Sequence, residues 1–192
     1  VPAGFFQLPY TCFTGSWVNE VMIGGQLMHI PLGCPLKGFP EEDAEWRQLG
    51  VKYNGKVINP AENEVTGPLI RQYAFYYLNT GYLWGGKSPF GIDCSGFSQS
   101  VYKLLGRPLP RDAWQQALQG EEVKSLQSAR CGDLAFFDNK EGRITHVGIL
   151  LNEEEIIHSA GKVRADKIDE QGITNTETGI RTHRLRDIRR YF

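Results

Sequence analysis

The sequence predicts an α+β fold, a small β-barrel followed by helices packed on an antiparallel sheet. Three observations carry this expectation. Residues 1–60 are rich in Gly and Pro, with short apolar runs between turn signals. Apolar residues then fall at helical spacing from Leu69 to Leu78 and again from Phe97 to Leu105. The last third reads mostly as strands, and helices first with strands after is the α+β order.

The elements follow in chain order. Val21-Met22-Ile23, Gln26 to Ile30, Trp46 to Val51 and Lys56-Val57-Ile58 are expected strands. Gly24-Gly25 and Asn54-Gly55 are turn signals, and Asn54-Gly55 is the sharper, a pair suited to a tight hairpin. Pro60 to Pro68 is polar and aperiodic, which places a linker at 61–67 between a barrel at 1–60 and a second domain at 68–192. Leu69, Ile70, Tyr73, Tyr77 and Leu78 share a helix face. A Gly-rich loop, Trp84 to Pro89, leads to Asp93-Cys94, where a second helix begins. Its apolar face is Phe97, Val101, Leu104 and Leu105, and Gly106 with Pro108 closes it. Asp112 is placed to cap a further helix through Leu118. Strands are expected at Asp133 to Phe137, His146 to Leu151, Glu155 to His158 and from Thr182 onward.

Composition narrows the function. The chain has 192 residues, 41% hydrophobic and 22% charged, which suits a globular fold. Lys+Arg is 21 against 22 Asp+Glu, a net charge of -1, so no nucleic-acid surface is expected. The basic cluster Arg181 to Arg190 is interleaved with Leu185, Asp187 and Ile188 and reads as a solvated face. No apolar run reaches membrane-spanning length, and no signal peptide is visible. The chain begins at Val1, which suggests a processed or trimmed form or a fragment, whose missing part could have carried an export signal. Of the four cysteines, Cys12, Cys34, Cys94 and Cys131, none forms a CxxC pair, so neither a structural zinc site nor a disulfide framework is expected.

Cys94 is the candidate nucleophile. At a helix start, unpaired N–H groups and the helix dipole favour a thiolate. A random cysteine is more often a small buried hydrophobe, but Asp93 and Ser95 beside this one are ill-suited to a core. A nucleophilic cysteine needs a base and a group to orient that base. His146 opens one apolar run and His158 ends another, so a hairpin between them brings both rings to one end of the ladder. Taken singly, each is more often a strand-end histidine satisfied by water. Cys94 with His146 and His158 is also a conceivable zinc set, though three scattered ligands support it weakly. His29 and His183 are read as structural. The Tyr82 hydroxyl is a candidate oxyanion donor beside the Cys94 N–H, though most tyrosines only pack.

These residues resemble the NlpC-like cysteine peptidases of bacterial cell-wall metabolism. The matching pieces are Tyr82-Leu83-Trp84-Gly85-Gly86, Gly91-Ile92-Asp93-Cys94-Ser95-Gly96-Phe97 and Leu109-Pro110-Arg111-Asp112. Gly132 to Phe137, Thr145-His146-Val147-Gly148-Ile149 and Ile157-His158-Ser159 continue the pattern. The resemblance implies a stripped-down papain-like fold, with Cys94, His146 and His158 as triad and Tyr82 assisting the oxyanion. It implies substrate contacts at Asp93, Ser95, Trp84, Arg111 and Asp112, with no cofactor and no metal. It implies cleavage of peptidoglycan stem peptides between γ-D-glutamate and a diamino acid. One branch requires a free amino-terminal L-Ala, and there the Asp and Ser flanking the cysteine meet the amine and γ-D-Glu. Gly25-Gln26, Glu45-Trp46 and Tyr53-Asn54-Gly55 resemble a bacterial SH3-like barrel of that branch, the second of a usual two. The expected partner is a peptidoglycan-derived peptide and the expected state a monomer, in the cytoplasm for recycling or in the periplasm and envelope. An amidase or acyltransferase on the same triad, or a non-catalytic wall-binding protein, are the alternative readings.

Overall fold

The computed structural model describes residues 12–36, 44–46 and 49–192. The expected strand Trp46 to Val51 lies partly outside the described residues, at 47–48. The chain divides into two compact units, Val1–Glu64 and Val65–Phe192.

In the first unit the strands are β1 (Cys12–Thr14), β2 (Val18–Ile23), β3 (Gln26–Pro31), β4 (Pro35–Leu36), β5 (Ala44–Trp46), β6 (Leu49–Lys52) and β7 (Val57–Ile58). They form two antiparallel sheets, ordered β4, β1, β7 and β3, β2, β6, β5. Gly24 and Gly25 turn β2 into β3 with φ of 56° and 81°, the positive pair that a two-residue hairpin demands. Asn54-Gly55 is not the tight hairpin its sequence suggests. Neither residue takes a positive φ, and the segment joins β6 to β7, which lie in different sheets. Tyr53 is the reason. Its ring folds over Gly55, where a Cβ would stand 2.5 Å from the hydroxyl oxygen. That hydroxyl lies 2.7 Å from both Asn19 Oδ1 and the Lys56 carbonyl. Buried Tyr53 packs with Cys12, Val21 and Leu36 as the core of this unit.

The second unit opens with helix α1 (Gly67–Phe75). The Thr66 hydroxyl accepts the Leu69 N–H and Pro68 fills the first turn. The helix ends before the expected Leu78, in turns that reach Asn79 at φ 65°. A short ribbon, β8 (Lys87–Ser88) with β9 (Gly91–Ile92), leads into helix α2 (Cys94–Leu104). Gly106, at φ 71°, stops α2, and the Arg107 N–H reaches back 2.9 Å to the Tyr102 carbonyl. Helix α3 (Ala113–Ala117) is a little shorter than expected, with Asp112 at its N-cap and Leu118 at its C-cap.

The strands that follow are β10 (Glu121–Glu122), β11 (Leu134–Asp138), β12 (Ile144–Leu150), β13 (Glu155–Ala160), β14 (Lys162–Asp169), β15 (Gly172–Thr174) and β16 (Arg181–Arg190). All pair antiparallel in the order β10, β16, β11, β12, β13, β14, β15, and β15 also pairs with β16. The sheet therefore closes on itself as a six-stranded barrel from β11 to β16. Sequence reading anticipates an antiparallel sheet but neither its closure nor strands β14 and β15. Closure rests on the length of β16, ten residues. Its early part pairs with β15 (Ile173↔His183) and its later part with β11 (Leu134↔Arg189). Register shifts at Phe136/Phe137 and Ile173/Thr174 supply the bends that closure needs.

The arginines of β16 are not merely a solvated face. Arg184 grips the fully buried Asp138 carboxylate with two bonds of 2.7 Å. Arg190 holds the equally buried Asp133 at 2.8 and 2.7 Å. Closing the barrel brings these aspartates opposite the strand, so the charges become ties rather than a coat. Inside, Ala135, Phe137, Leu150, Ile156, Ile168, Ile173 and Ile188 form one cluster. On the outer face, α2 packs against β12 and β13.

Strand alternation puts His146 on the same side of β12 as Leu150, and His158 on the same side of β13 as Ile156. Both histidines therefore belong to the barrel's inner face. Gly148 makes room for them. A Cβ there would stand 2.7 Å from Ile156 Cδ1 and 2.9 Å from His158 Cβ. Gly148→Ala is expected to cost about 1–3 kcal/mol of stability through overpacking. Urea unfolding checks this, and a variant as stable as the parent would mean that the barrel interior gives way freely.

Candidate active site

The helix side of the site is built on Asp93, the N-cap of α2. Its Oδ1 accepts the Gly96 N–H at 2.6 Å, which starts the helix and places Cys94 in its first turn. Its Oδ2 accepts the Gly85 N–H at 2.8 Å, tying in the Gly-rich loop. Arg111 spans both oxygens, Nη1 to Oδ1 at 3.1 Å and Nη2 to Oδ2 at 2.5 Å, and also reaches Ser95 Oγ at 3.0 Å. Gln116 fixes the segment that carries Arg111, donating to the carbonyls of Ser95 and Pro110 at 3.1 and 2.9 Å. Asp93 thus both caps the helix and anchors a guanidinium.

The barrel side is a chain of polar groups across three neighbouring strands. His146 Nε2 lies 2.8 Å from His158 Nδ1, and His158 Nε2 lies 3.0 Å from Asp166 Oδ2. Gly148 pairs with His158 and Ile156 with Asp166, so these residues are diagonal neighbours on one face. Arg164 Nε and the Thr176 N–H complete the Asp166 carboxylate, each at 2.8 Å. His183 stacks on His146 with centroids 4.1 Å apart and planes 24° apart. The ring nitrogens of His146, His158 and His183 lie within 4.8 Å of one another. Within this trio His146 Nε2 and His158 Nδ1 are already spent on each other, and His158 Nε2 on Asp166.

The two sides meet at Cys94. Its Sγ is 3.9 Å from the Thr145 carbonyl, and the Val147 N–H also points to it. The thiol therefore lies against the backbone on both sides of His146. Tyr82 is tied down by its N–H to the Gly161 carbonyl at 2.9 Å, and Ser159 Oγ bonds the Ile92 carbonyl at 2.8 Å. These bonds hold the loop before Cys94 on β13 and its turn.

Electrostatics departs from the expectation of a standing thiolate. Burial pushes the Cys94 thiol up, with the Asp93 charge adding to it, and the N–H groups of Val147, Ser95 and Cys94 recover only part. Burial, then the neighbouring His158 and His183, drives His146 well below the ordinary histidine range. Burial also lowers His158, against the pull of Asp166. His183 falls to about 4, again chiefly through burial. The resting site is a neutral thiol beside neutral imidazoles. Asp93 stays ionised, because Arg111 and the Gly96 and Gly85 N–H groups outweigh its burial.

The structure gathers Asp93, Ser95 and Arg111 at the start of α2, joins His146 to His158 on the barrel, and sets the Cys94 thiol against the backbone of Thr145 and Val147 on either side of His146. Tyr82 is 37% exposed, and burial together with the Asp93 charge keeps its hydroxyl protonated. Trp84 is 86% exposed on the loop, next to the Gly85 that Asp93 holds. Asp112 sits exposed as a helix cap beside Arg111. Two residues are missing from the expected set. His183, read as structural, covers the face of His146, and Asp166 was not singled out at all. The alternation of Arg164, Asp166 and Ile168 in β14 was the available signal, but charges on both faces of that strand obscure it. His29 is exposed, 3.6 Å from Glu20.

Comparison with known proteins points to one family. The profile of the NlpC/P60 family matches residues 79–182. A gamma-D-glutamyl-L-lysine dipeptidyl-peptidase of Bacillus subtilis is 39% identical over 134 residues, 69% of this chain and 43% of that protein. The chain thus spans less than half the length of this curated relative. Among solved structures, an NlpC/P60 family protein from Bacillus cereus aligns at a TM-score of 0.74 and 21% identity, over 97% of this chain and 65% of that one. The NlpC/p60 domain of the peptidoglycan hydrolase SagA is 36% identical at a TM-score of 0.50, over 54% of this chain and 90% of that one.

Iodoacetamide labelling of Cys94, followed by mass mapping, reads its thiolate directly. The rate should climb through the alkaline range with a midpoint above that of free cysteine, each unit of upward shift lowering the thiolate fraction at neutral pH about tenfold. A rate that has already levelled off in mild acid would reveal a standing ion pair with His146 and overturn the neutral-site reading.

Proposed function

The chain belongs to the NlpC/P60 family, and on that premise we propose that it is a cysteine peptidase acting on peptidoglycan stem peptides. One observation carries the reading. The Cys94 thiol lies against the backbone flanking His146, whose far nitrogen is held by His158 at 2.8 Å. Cys94 is the nucleophile, His146 the base and His158 its orienting partner, the arrangement of a papain-like site. The strands of the first unit are read as a bacterial SH3-like barrel over 1–60, joined by a linker at 61–67 to the catalytic domain at 68–192.

As Sγ attacks the scissile carbonyl carbon, its proton passes to His146. The carbonyl oxygen becomes an oxyanion, met by the Cys94 N–H and the Tyr82 hydroxyl. His146 returns the proton to the departing amine and leaves a thioester. A water, deprotonated by His146, then hydrolyses the thioester and restores the thiol. Because thiol and imidazole both start neutral, proton transfer accompanies attack.

The bond we assign is γ-D-glutamyl to L-diamino acid, as the name of the Bacillus subtilis relative suggests. When γ-D-Glu is linked through its side chain, its α-carboxylate is free. Arg111 suits that group, since its side chain is 35% exposed and its guanidinium has donors left beyond Asp93 and Ser95. Asp93 faces the ammonium of an amino-terminal L-Ala, with Trp84 as an open apolar wall. Arg111 already balances much of the Asp93 charge, so the preference for a free amine is moderate.

The test is release of the diamino acid from L-Ala-γ-D-Glu-L-Lys and its diaminopimelate counterpart. Cys94→Ala should lower the rate about 10³-fold or more. Amidation of the D-Glu α-carboxylate should reduce kcat/KM about 10- to 100-fold, and N-acetylation of L-Ala less than that. Equal rates for the parent and Cys94→Ala would refute the peptidase reading.

A further inference from the structure

The most completely built polar group behind the site is the Asp166 carboxylate, 3% exposed on the inner face of the barrel. Burial opposes its charge, but His158, the Thr176 N–H and Arg164 outweigh it and hold the carboxyl far below its ordinary range. An ionised carboxylate can only accept hydrogen bonds. The His158 nitrogen that faces it, Nε2 at 3.0 Å, must therefore carry the proton. A neutral imidazole has a single N–H, so His158 Nδ1 is bare and accepts. His146 Nε2, 2.8 Å from that acceptor, must then carry its own proton. This leaves Nδ1 of His146 as the bare nitrogen, the one free to receive a thiol proton. Reversing any proton along the row sets a lone pair against a carboxylate or two N–H groups against each other.

Resting on the assignment of Cys94 and His146 made above, we propose that Asp166 is the positioning residue of this site. It sets the tautomers of His158 and His146 in turn, and so keeps Nδ1 of His146 unprotonated and basic. It does this across two hydrogen bonds, without touching the reacting atoms. Arg164 and the Thr176 N–H have the accompanying task of keeping the carboxylate ionised and unable to rotate.

Asp166→Leu keeps much of the bulk of the group and removes both acceptor oxygens. Asp166→Asn is the weaker probe, because Arg164 Nε and His158 both face Oδ2 and favour the amide oxygen there, where it still accepts from His158. In Asp166→Leu nothing holds the His158 proton on Nε2, and forms with the His158 and His146 protons on Nδ1, where that of His146 blocks the thiol, become populated. In protein labelled with 15N-histidine, the wild type should show both protons on Nε2, and Asp166→Leu should show a substantial share on Nδ1. The variant's kcat should fall about 10-fold or more, with KM within about threefold. Unchanged tautomers with kcat within a few-fold of the parent would overturn the proposal. So would a wild-type spectrum with either proton on Nδ1, a readout that needs no variant to fold. A Cys94→Ala protein that still cleaves substrate would instead overturn the reading of the site itself, since the tautomer spectra do not depend on turnover.

Discussion

Two neutral imidazoles, 2.8 Å apart and shut away from water, form the contact on which the rest of this site depends. Polar groups are costly in a barrel interior unless each finds a partner. His146 and His158 answer each other, and Asp166 answers the far side of His158. The stacked ring of His183 lies over His146 with its own Nδ1 engaged by Thr182 Oγ1 at 2.8 Å. This polar layer at one end of an apolar barrel exists only because six strands close around it, and closure in turn needs the bulges and the length of β16.

The site is divided electrically. Formal charge is concentrated on the helix side, where Asp93 and Arg111 neutralise each other and organise the start of α2. On the barrel side the rings of His146 and His158 are neutral, and the Asp166 carboxylate, paired with Arg164, stands two hydrogen bonds behind His146. Cys94 lies between them as a protonated thiol. A thiol at rest is a poor target for stray electrophiles and oxidants.

Much of this was legible in the sequence because the residues lie in local patterns. Asp93-Cys94-Ser95 reads as a helix start, and the apolar faces of α1 and α2 obey helical spacing. His146 and His158 flank apolar runs that pair as expected. What was hidden depends on contacts between distant segments. Closure of the barrel is a property of β16 against β11 and β15, far apart in the chain. Asp166 and His183 gain meaning only after that closure. The Asn54-Gly55 signal failed because Tyr53 packs over the glycine and carries the chain into another sheet. The thiolate expected at the helix start was a local inference too, and burial outweighed it.

The strand that completes the barrel is the last of the six to be synthesised. Until β16 has left the ribosome, β11 and β15 each lack a neighbour, and the layer of histidines has no closed wall around it. A growing chain already displays Cys94, His146 and His158, but not the enclosure that keeps those rings neutral and aligned. Enclosure of the histidine layer thus waits for the segment Arg181–Arg190, made after every other strand of the barrel.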